Sequence, residues 1–203
     1  MKNIIPIISF FSGGGFMDMG FMEAGFDIVF ANEYDNVFAD LHDEGIREWC
    51  RGHKKRFCPI TTTKSITELN PENILSNAFP QGTPKVWGII GGPPCQGFST
   101  VGQRNIDDPR NQMYLEFYKA VKLANPDFFV IENVKGMLTL NKGAFVKDLL
   151  ERFGEKGLGY TINYQVLNAA DYGVPQARER VIIIGNRIGV ENPFPIKTHE
   201  DLY

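Results

Sequence analysis

Cys95 stands at the centre of Gly91-Gly92-Pro93-Pro94-Cys95-Gln96-Gly97-Phe98-Ser99-Thr100. Glycines permit close backbone approach and unusual dihedrals, and paired prolines stiffen the chain around them. A thiol on such a loop is well suited to act as a nucleophile. A lone cysteine in a turn is as readily a small buried apolar side chain, so the loop alone leaves both readings open. A second group with chemical potential lies earlier, at Phe11-Ser12-Gly13-Gly14-Gly15 and Glu33. A glycine loop after an apolar run suggests a nucleotide-like ligand at the carboxyl edge of a sheet. An acidic residue at the end of the next strand suits ribose hydroxyls. Glu33 follows Gly13 by 20 positions, matching the usual spacing of about 20.

The ligand class can be narrowed. Gly13 and Gly15 fit the first two glycines of G-x-G-x-x-G, but Asp18 stands at the third. A dinucleotide is therefore disfavoured, and no G-x-x-x-x-G-K-[ST] phosphate loop is present. An adenosyl ligand without a pyrophosphate fits better, and S-adenosylmethionine is the candidate. A plain tight turn at the glycines and a surface carboxylate at Glu33 are the alternatives.

The elements needed to hold these residues follow from hydrophobic patterning. Ile4 to Phe10 is a continuous apolar, β-branched run, as in a strand buried on both faces. Phe16 to Ala24 reads as a helix stopped by Gly25, and Asp27 to Ala31 as a second strand. The alternation continues. A weak strand is expected over Ile60 to Ile66 and a helix over Glu72 to Phe79. Val86 to Ile90 reads as a strand leading to the Cys95 loop. A helix is expected over Met113 to Ala124, with Leu115, Tyr118, Val121 and Leu123 as candidate buried residues. Asp127 to Ile131 reads as a strand ending at Glu132-Asn133-Val134, and Ala144 to Phe153 as a helix. Tyr160 to Leu167 and Val181 to Gly185 read as the final strands. This order predicts an α/β fold with a doubly wound, mostly parallel sheet. Arg47 to Phe57 is expected to be an exposed basic excursion.

Bulk properties agree with one globular domain. The chain has 203 residues, 43% hydrophobic and 22% charged. The formal net charge of −3 does not mark a stand-alone nucleic-acid binder. Three cysteines without a C-x-x-C pair point to a reducing, cytoplasmic compartment. Cys50, His53 and Cys58 match no standard zinc spacing, so no metal site is assigned. The apolar run ending at Phe11 is far shorter than the roughly 20 residues of a membrane span.

With these stretches in hand, the chain resembles the cytosine-C5 methyltransferase family. Phe11-Ser12-Gly13-Gly14-Gly15 and Asp18-Met19-Gly20-Phe21 look like its cofactor loop, and Asn32-Glu33-Tyr34-Asp35 like its second motif. Gly92 to Ser99 matches its catalytic loop, and Asp108-Pro109-Arg110-Asn111 the start of its next helix. Glu132-Asn133-Val134 and Gln176-Ala177-Arg178-Glu179-Arg180 match two further motifs, and all of them run in the family's order. Two positions depart: Phe16 stands for a usual glycine, and Ser65 where a carboxylate often takes the adenine amino group.

The resemblance implies a Rossmann-like, S-adenosylmethionine-dependent methyltransferase fold and a DNA cytosine-C5 methylation activity of restriction–modification type. It makes Cys95 the nucleophile toward C6 of a flipped cytosine and Glu132 the proton donor at N3. Arg180 would hold the ring carbonyl oxygen, with Arg178 in support. Phe11, Gly13, Gly15, Glu33, Tyr34, Pro94 and Met113 become the cofactor contacts, and Gln96, Ser99 and Gln176 the substrate-side contacts. Double-stranded DNA is the implied partner. Residues 1–203 would form a catalytic and cofactor-binding domain. The family's target-recognition region and last two motifs are not matched, which fits the first subunit of a two-chain enzyme, a truncated gene or a fragment; in the first case a second subunit carrying them is a further implied partner. A tRNA cytosine-C5 methyltransferase and a catalytically silent fragment are the competing readings.

Overall fold

The computed structural model describes residues 4–54, 61–94 and 113–199. Six strands form a mixed, mostly parallel sheet accompanied by helices, the Rossmann-like architecture. The chain divides into two compact units, Met1–Gly92 with Lys119–Phe129, and Pro93–Tyr118 with Val130–Tyr203. Among the described residues no helix is long and apolar enough to cross a membrane.

In the first unit β1 (Pro6–Phe10) lies between β2 (Asp27–Asn32) and β3 (Gly88–Gly91), parallel to both. Ile7, Ile8, Ile89 and Ile90 are fully buried, as expected of parallel strands covered on both faces. Burying one such side chain contributes about 1.5–3 kcal/mol. The chain passes from β1 to β2 on one side and later returns as β3 on the other. Sheets of this kind bind ligands at such a reversal, outside the carboxyl ends of the two strands, here β1 and β3. Helix α1 (Phe16–Glu23) follows β1, and α2 (Asn36–Gly52) follows β2. Helix α3 (Pro71–Ala78) starts on an Asn70 cap with proline at its first position. Phe128 packs where a Cβ on Gly88 would sit, only 2.3 Å from its ring. Asp127 brackets the same point: its N–H donates to the Trp87 carbonyl at 3.0 Å, and its Oδ2 accepts the Trp87 N–H at 3.1 Å.

In the second unit β4 (Phe128–Val134), β6 (Glu179–Asn186) and β5 (Thr161–Asn168) lie in that order, with β5 and β6 antiparallel. The first two residues of β4 belong to the first unit, as does the end of helix α4 (Met113–Ala124). Ile131, Val181, Ile183, Tyr160 and Phe153 are buried, the last from α5 (Ala144–Phe153).

Four expectations need correction. The basic stretch from Arg47 is not an excursion up to Gly52: it completes α2. Ala39, His42, Ile46 and Cys50 recur at helical spacing and are buried. The arginines lie outward in i,i+3 pairs, Arg47 with Glu44 and Arg51 with Glu48. Lys55 to Phe57 lie outside the described residues. The weak strand at Ile60 to Ile66 is also absent over its described part. Thr62 makes a single parallel bridge with Asn32. The Asn32 side chain then takes the Thr62 and Lys64 carbonyls at 3.0 and 2.8 Å, which ends the ladder. Ile66–Glu68 is instead a 3₁₀ turn capped by Ser65 and Glu68. On α4 the buried residues are Tyr114, Phe117, Ala120 and Val121, whereas Leu123 is exposed. The buried stripe runs through 114, 117 and 121, and the two leucines fall beside it. Finally, β4 extends to Val134 and so takes in the Glu-Asn-Val motif.

Candidate functional site

The glycine loop after β1 is held by short, directed contacts. The Ser12 N–H donates to the Asn32 carbonyl at 3.1 Å and the Gly15 N–H to the Ser12 carbonyl at 3.0 Å. Phe11, Gly13 and Gly15 all have positive φ, at 53°, 55° and 84°. That region suits Gly13 and Gly15 and is uncommon for a bulky residue such as Phe11. Glu33, at the end of β2, joins the two loops. Its Oε2 accepts the Gly13 N–H at 2.8 Å and its Oε1 accepts the Asp35 N–H at 3.0 Å. A carboxylate has about four lone-pair sites, so both oxygens can still accept ribose hydroxyls. Tyr34, next to it, is 72% exposed and lines a cavity of about 500 Å³ with Asp35, Asn36, Val37 and Thr63.

These residues suit an adenosyl ligand. The space beside the Gly13 Cα is open: among the described residues, no atom lies within 4 Å of the point a Cβ would occupy. The Ser12 hydroxyl is buried and has no hydrogen-bond partner among the described residues. A buried hydroxyl without a partner costs about 1–3 kcal/mol, so a polar ligand atom is its natural complement. Ser65, at the position where a carboxylate was expected, caps the 3₁₀ turn and bonds Glu68.

The second unit gathers the other group. Glu132 lies near the end of β4, 30% exposed at its side chain. Arg180, on β6, brings its Nε to 3.1 Å from Glu132 Oε1, and Arg178 brings an Nη to 3.8 Å from the same oxygen. Arg180 also donates to the Glu179 carbonyl at 2.8 Å, and Glu179 pairs with Lys135 at 2.8 Å. The antiparallel register sets Arg180 opposite Leu167 and Glu179 opposite Asn168. Asn168 then takes the Arg178 N–H at 3.0 Å, fixing the approach to β6. The buried Asn133 donates from its side chain to the Pro93 carbonyl at 2.9 Å, tying the motif on β4 to the start of the Cys95 loop. Pro94 is half-buried, Gln176 is exposed and Met113, at the start of α4, is half-buried. Cys95, Gln96 and Ser99 lie outside the described residues.

Sequence reasoning named the residues of both groups, but it missed what lies beneath the glycine loop. Asp18, read as a break in a dinucleotide motif and as part of the family's cofactor loop but given no role of its own, is fully buried and hydrogen-bonded to Ser9 and to His42. Its companion His42 drew no notice because α2 itself was not expected. A helical reading of Ala39, His42, Ile46 and Cys50, the residues that α2 buries, would have found the helix and its histidine together. Cys50 is buried on α2 and the His53 ring stacks on Trp49 at 4.1 Å. Cys58 lies outside the described residues.

Comparison with known proteins agrees with this geometry. Residues 5–202 match the C-5 cytosine-specific DNA methylase family. The Type II methyltransferase M.FnuDI of Fusobacterium nucleatum is 39% identical across 98% of this chain, which spans 53% of that protein. M.AquIA of Picosynechococcus is 40% identical across 95% of this chain, which spans 76% of it. Among solved structures, a prophage-encoded DNA modification methyltransferase from E. coli superposes with a TM-score of 0.71 at 32% identity, over 90% of this chain and 47% of that one. Spodoptera frugiperda DNMT2 superposes at 0.67 with 25% identity, over 96% and 54%. The family is S-adenosylmethionine-dependent, in keeping with the adenosyl-type loop at Gly13 and Glu33. The chain belongs to the C-5 cytosine-specific DNA methylase family.

Proposed function

We propose that residues 1–203 act as the catalytic and cofactor-binding part of a DNA cytosine-C5 methyltransferase of restriction–modification type. The observation that most supports this is the Glu132, Arg178 and Arg180 cluster, in the same unit as the Asn133 bond to Pro93, two residues before Cys95. S-adenosylmethionine supplies an electrophilic methyl group when bound. Ser12, Gly13, Glu33 and Tyr34 are its proposed contacts in the first unit, along with Phe11 and Gly15. Pro94 and Met113 keep that role on resemblance alone.

C5 of cytosine is a poor nucleophile, and a thiolate added at C6 turns the ring into an enamine whose C5 can attack. In this reading the Cys95 thiolate forms the S–C6 bond while Glu132 delivers a proton to N3. Arg180 holds the ring carbonyl oxygen through a fixed, permanently charged donor fork. Both arginines meet Glu132 at Oε1, and Oε2 is the oxygen assigned to the base. C5 would take the methyl group as its bond to the sulfonium sulfur breaks, the donor leaving as the thioether, and a water molecule then takes the C5 proton. The electron pair re-forms the C5–C6 double bond and expels the thiolate, and N3 returns its proton to Glu132. Gln96 and Ser99 contact the opened strand, and Gln176 and Arg178 hold the loop geometry. Lifting the target base out of a duplex costs about a few kcal/mol.

The relatives are longer than this chain, so target recognition is assigned to a region carried elsewhere, in the same or a second polypeptide. The test is methyl transfer from labelled S-adenosylmethionine by the chain, supplemented with a recognition region from a relative. Label in C5 of DNA cytosine, lost in Cys95→Ala, is the expected outcome. Label in tRNA and none in DNA would overturn the choice of substrate.

A further inference from the structure

His42 is 1% exposed and lies between two acidic groups under the glycine loop. Its Nε2 is 2.8 Å from Asp18 Oδ2. Its Nδ1 is 2.7 Å from Thr61 Oγ1 and 3.5 Å from Asp43 Oδ1. With both acids as carboxylates, counting hydrogens fixes its state. The Thr61 hydroxyl donates its one proton to Asp43 Oδ1 at 2.7 Å, and the Thr61 N–H donates to the same oxygen at 3.0 Å. Thr61 Oγ1 can then only accept from His42, so Nδ1 carries a hydrogen. Asp18 already accepts the Ser9 hydroxyl at its other oxygen, 2.7 Å away. A carboxylate is an acceptor only, so Nε2 carries a hydrogen as well. Both ring nitrogens are donors, which is the imidazolium form.

The ring also sets the shape of the loop above it. Gly15 has φ 84° and caps α1, and a Cβ there would lie 2.9 Å from His42 Cδ2. The Gly15 carbonyl accepts the Met19 N–H at 2.9 Å, so the turn and the helix start move together. Among the described residues the charged groups facing the ring are Asp18 from α1 and Asp43 from α2 itself. Burial alone pushes the imidazole down from its ordinary value of 6.5, but hydrogen bonds and charges from Asp18, then Asp43, leave it raised overall.

We infer that His42 is a positioning residue for the cofactor loop, a buried imidazolium that holds the Ser12–Gly15 turn in its ligand-binding shape. The inference rests on the adenosyl reading of that loop. Loss of the proton either leaves Asp18 facing a bare Nε2 in a buried site or turns the Thr61 hydroxyl from Asp43 to Nδ1, and in both cases it removes the charge that holds the ring between the two acids under Gly15.

The test pairs two readouts on the full chain from about pH 6 to about pH 9. NMR of labelled histidine reads the His42 ring directly. Calorimetry with S-adenosylhomocysteine reads affinity. Both nitrogens should be protonated at neutral pH, and affinity should fall roughly five- to tenfold as the ring titrates. His42→Gln should bind more weakly by a similar factor with a flat profile, so any titration of the ligand itself is seen in both proteins. Asp43→Asn, at a partly exposed position, should move the ring titration and the affinity transition together to lower pH. A neutral single tautomer at neutral pH would overturn the inference. So would affinity that ignores the ring titration in wild type or in Asp43→Asn. Failure of the wild type to bind the probe at any pH would overturn the adenosyl reading itself, and this inference with it.

Discussion

Glu132 meets two guanidinium groups at one oxygen, and that asymmetry is what a proton donor to a ring nitrogen would use. Replacing it by Gln keeps the size and the contact to Arg180 but removes the transferable proton. Glu132→Gln should lower kcat by about 10²–10⁴-fold, the usual range for losing a general acid. The KM for DNA should change little, since the substitution removes an interaction made in the transition state. An unchanged kcat would remove Glu132 from the mechanism. Glu33 shows a different logic. Its side chain cross-links two loops through backbone N–H groups, so it shapes the glycine loop apart from the ligand contact proposed for it. The 20-residue spacing from Gly13 marked it, and the bond across that spacing at 2.8 Å is the physical reason.

Elements carried most of the legible signal. Continuous apolar runs mark β1 and β3, because parallel strands buried on both faces need them. The helices at Phe16, Pro71, Met113 and Ala144 were readable from capping signals and periodicity. α2 was not, because its first turn exposes Val37 and Phe38 while burying a histidine. Hydrophobic pattern and burial disagree there, and a buried polar network accounts for it. The stretch after Ile60 misled for a related reason: Thr62 keeps one strand-like rung, but the next carbonyl along, that of Lys64, accepts from the Asn32 side chain instead of from backbone. β3 offers a test of packing at this scale. A Cβ at Gly88 would sit 2.3 Å from the Phe128 ring inside a fully buried strand. Gly88→Ala should destabilise the protein by about 1–3 kcal/mol, as overpacked cores do. Chemical denaturation measures this, and an unchanged midpoint would show that the ring yields freely.

At the level of the whole molecule, charge and length decide what the chain does alone. A net charge of −3 opposes binding to a polyanion, and the chain covers 53% of M.FnuDI. The isolated chain should bind duplex DNA only in the non-specific range, with Kd of roughly 10⁻⁴–10⁻⁶ M and steep salt dependence. Nanomolar, sequence-selective binding by these residues alone would show that recognition lies within them. The role proposed for Cys95, a nucleophile toward cytosine, can be read directly, as a covalent bond. The chain, S-adenosylmethionine and a recognition region from a relative are incubated with DNA carrying 5-fluorocytosine, whose C5 has no proton to lose. Peptide mass spectrometry of the product should find methylated fluorocytosine attached through C6 to Cys95, with no adduct in Cys95→Ala. An adduct on another residue, or methylated cytosine formed by Cys95→Ala, would contradict the account.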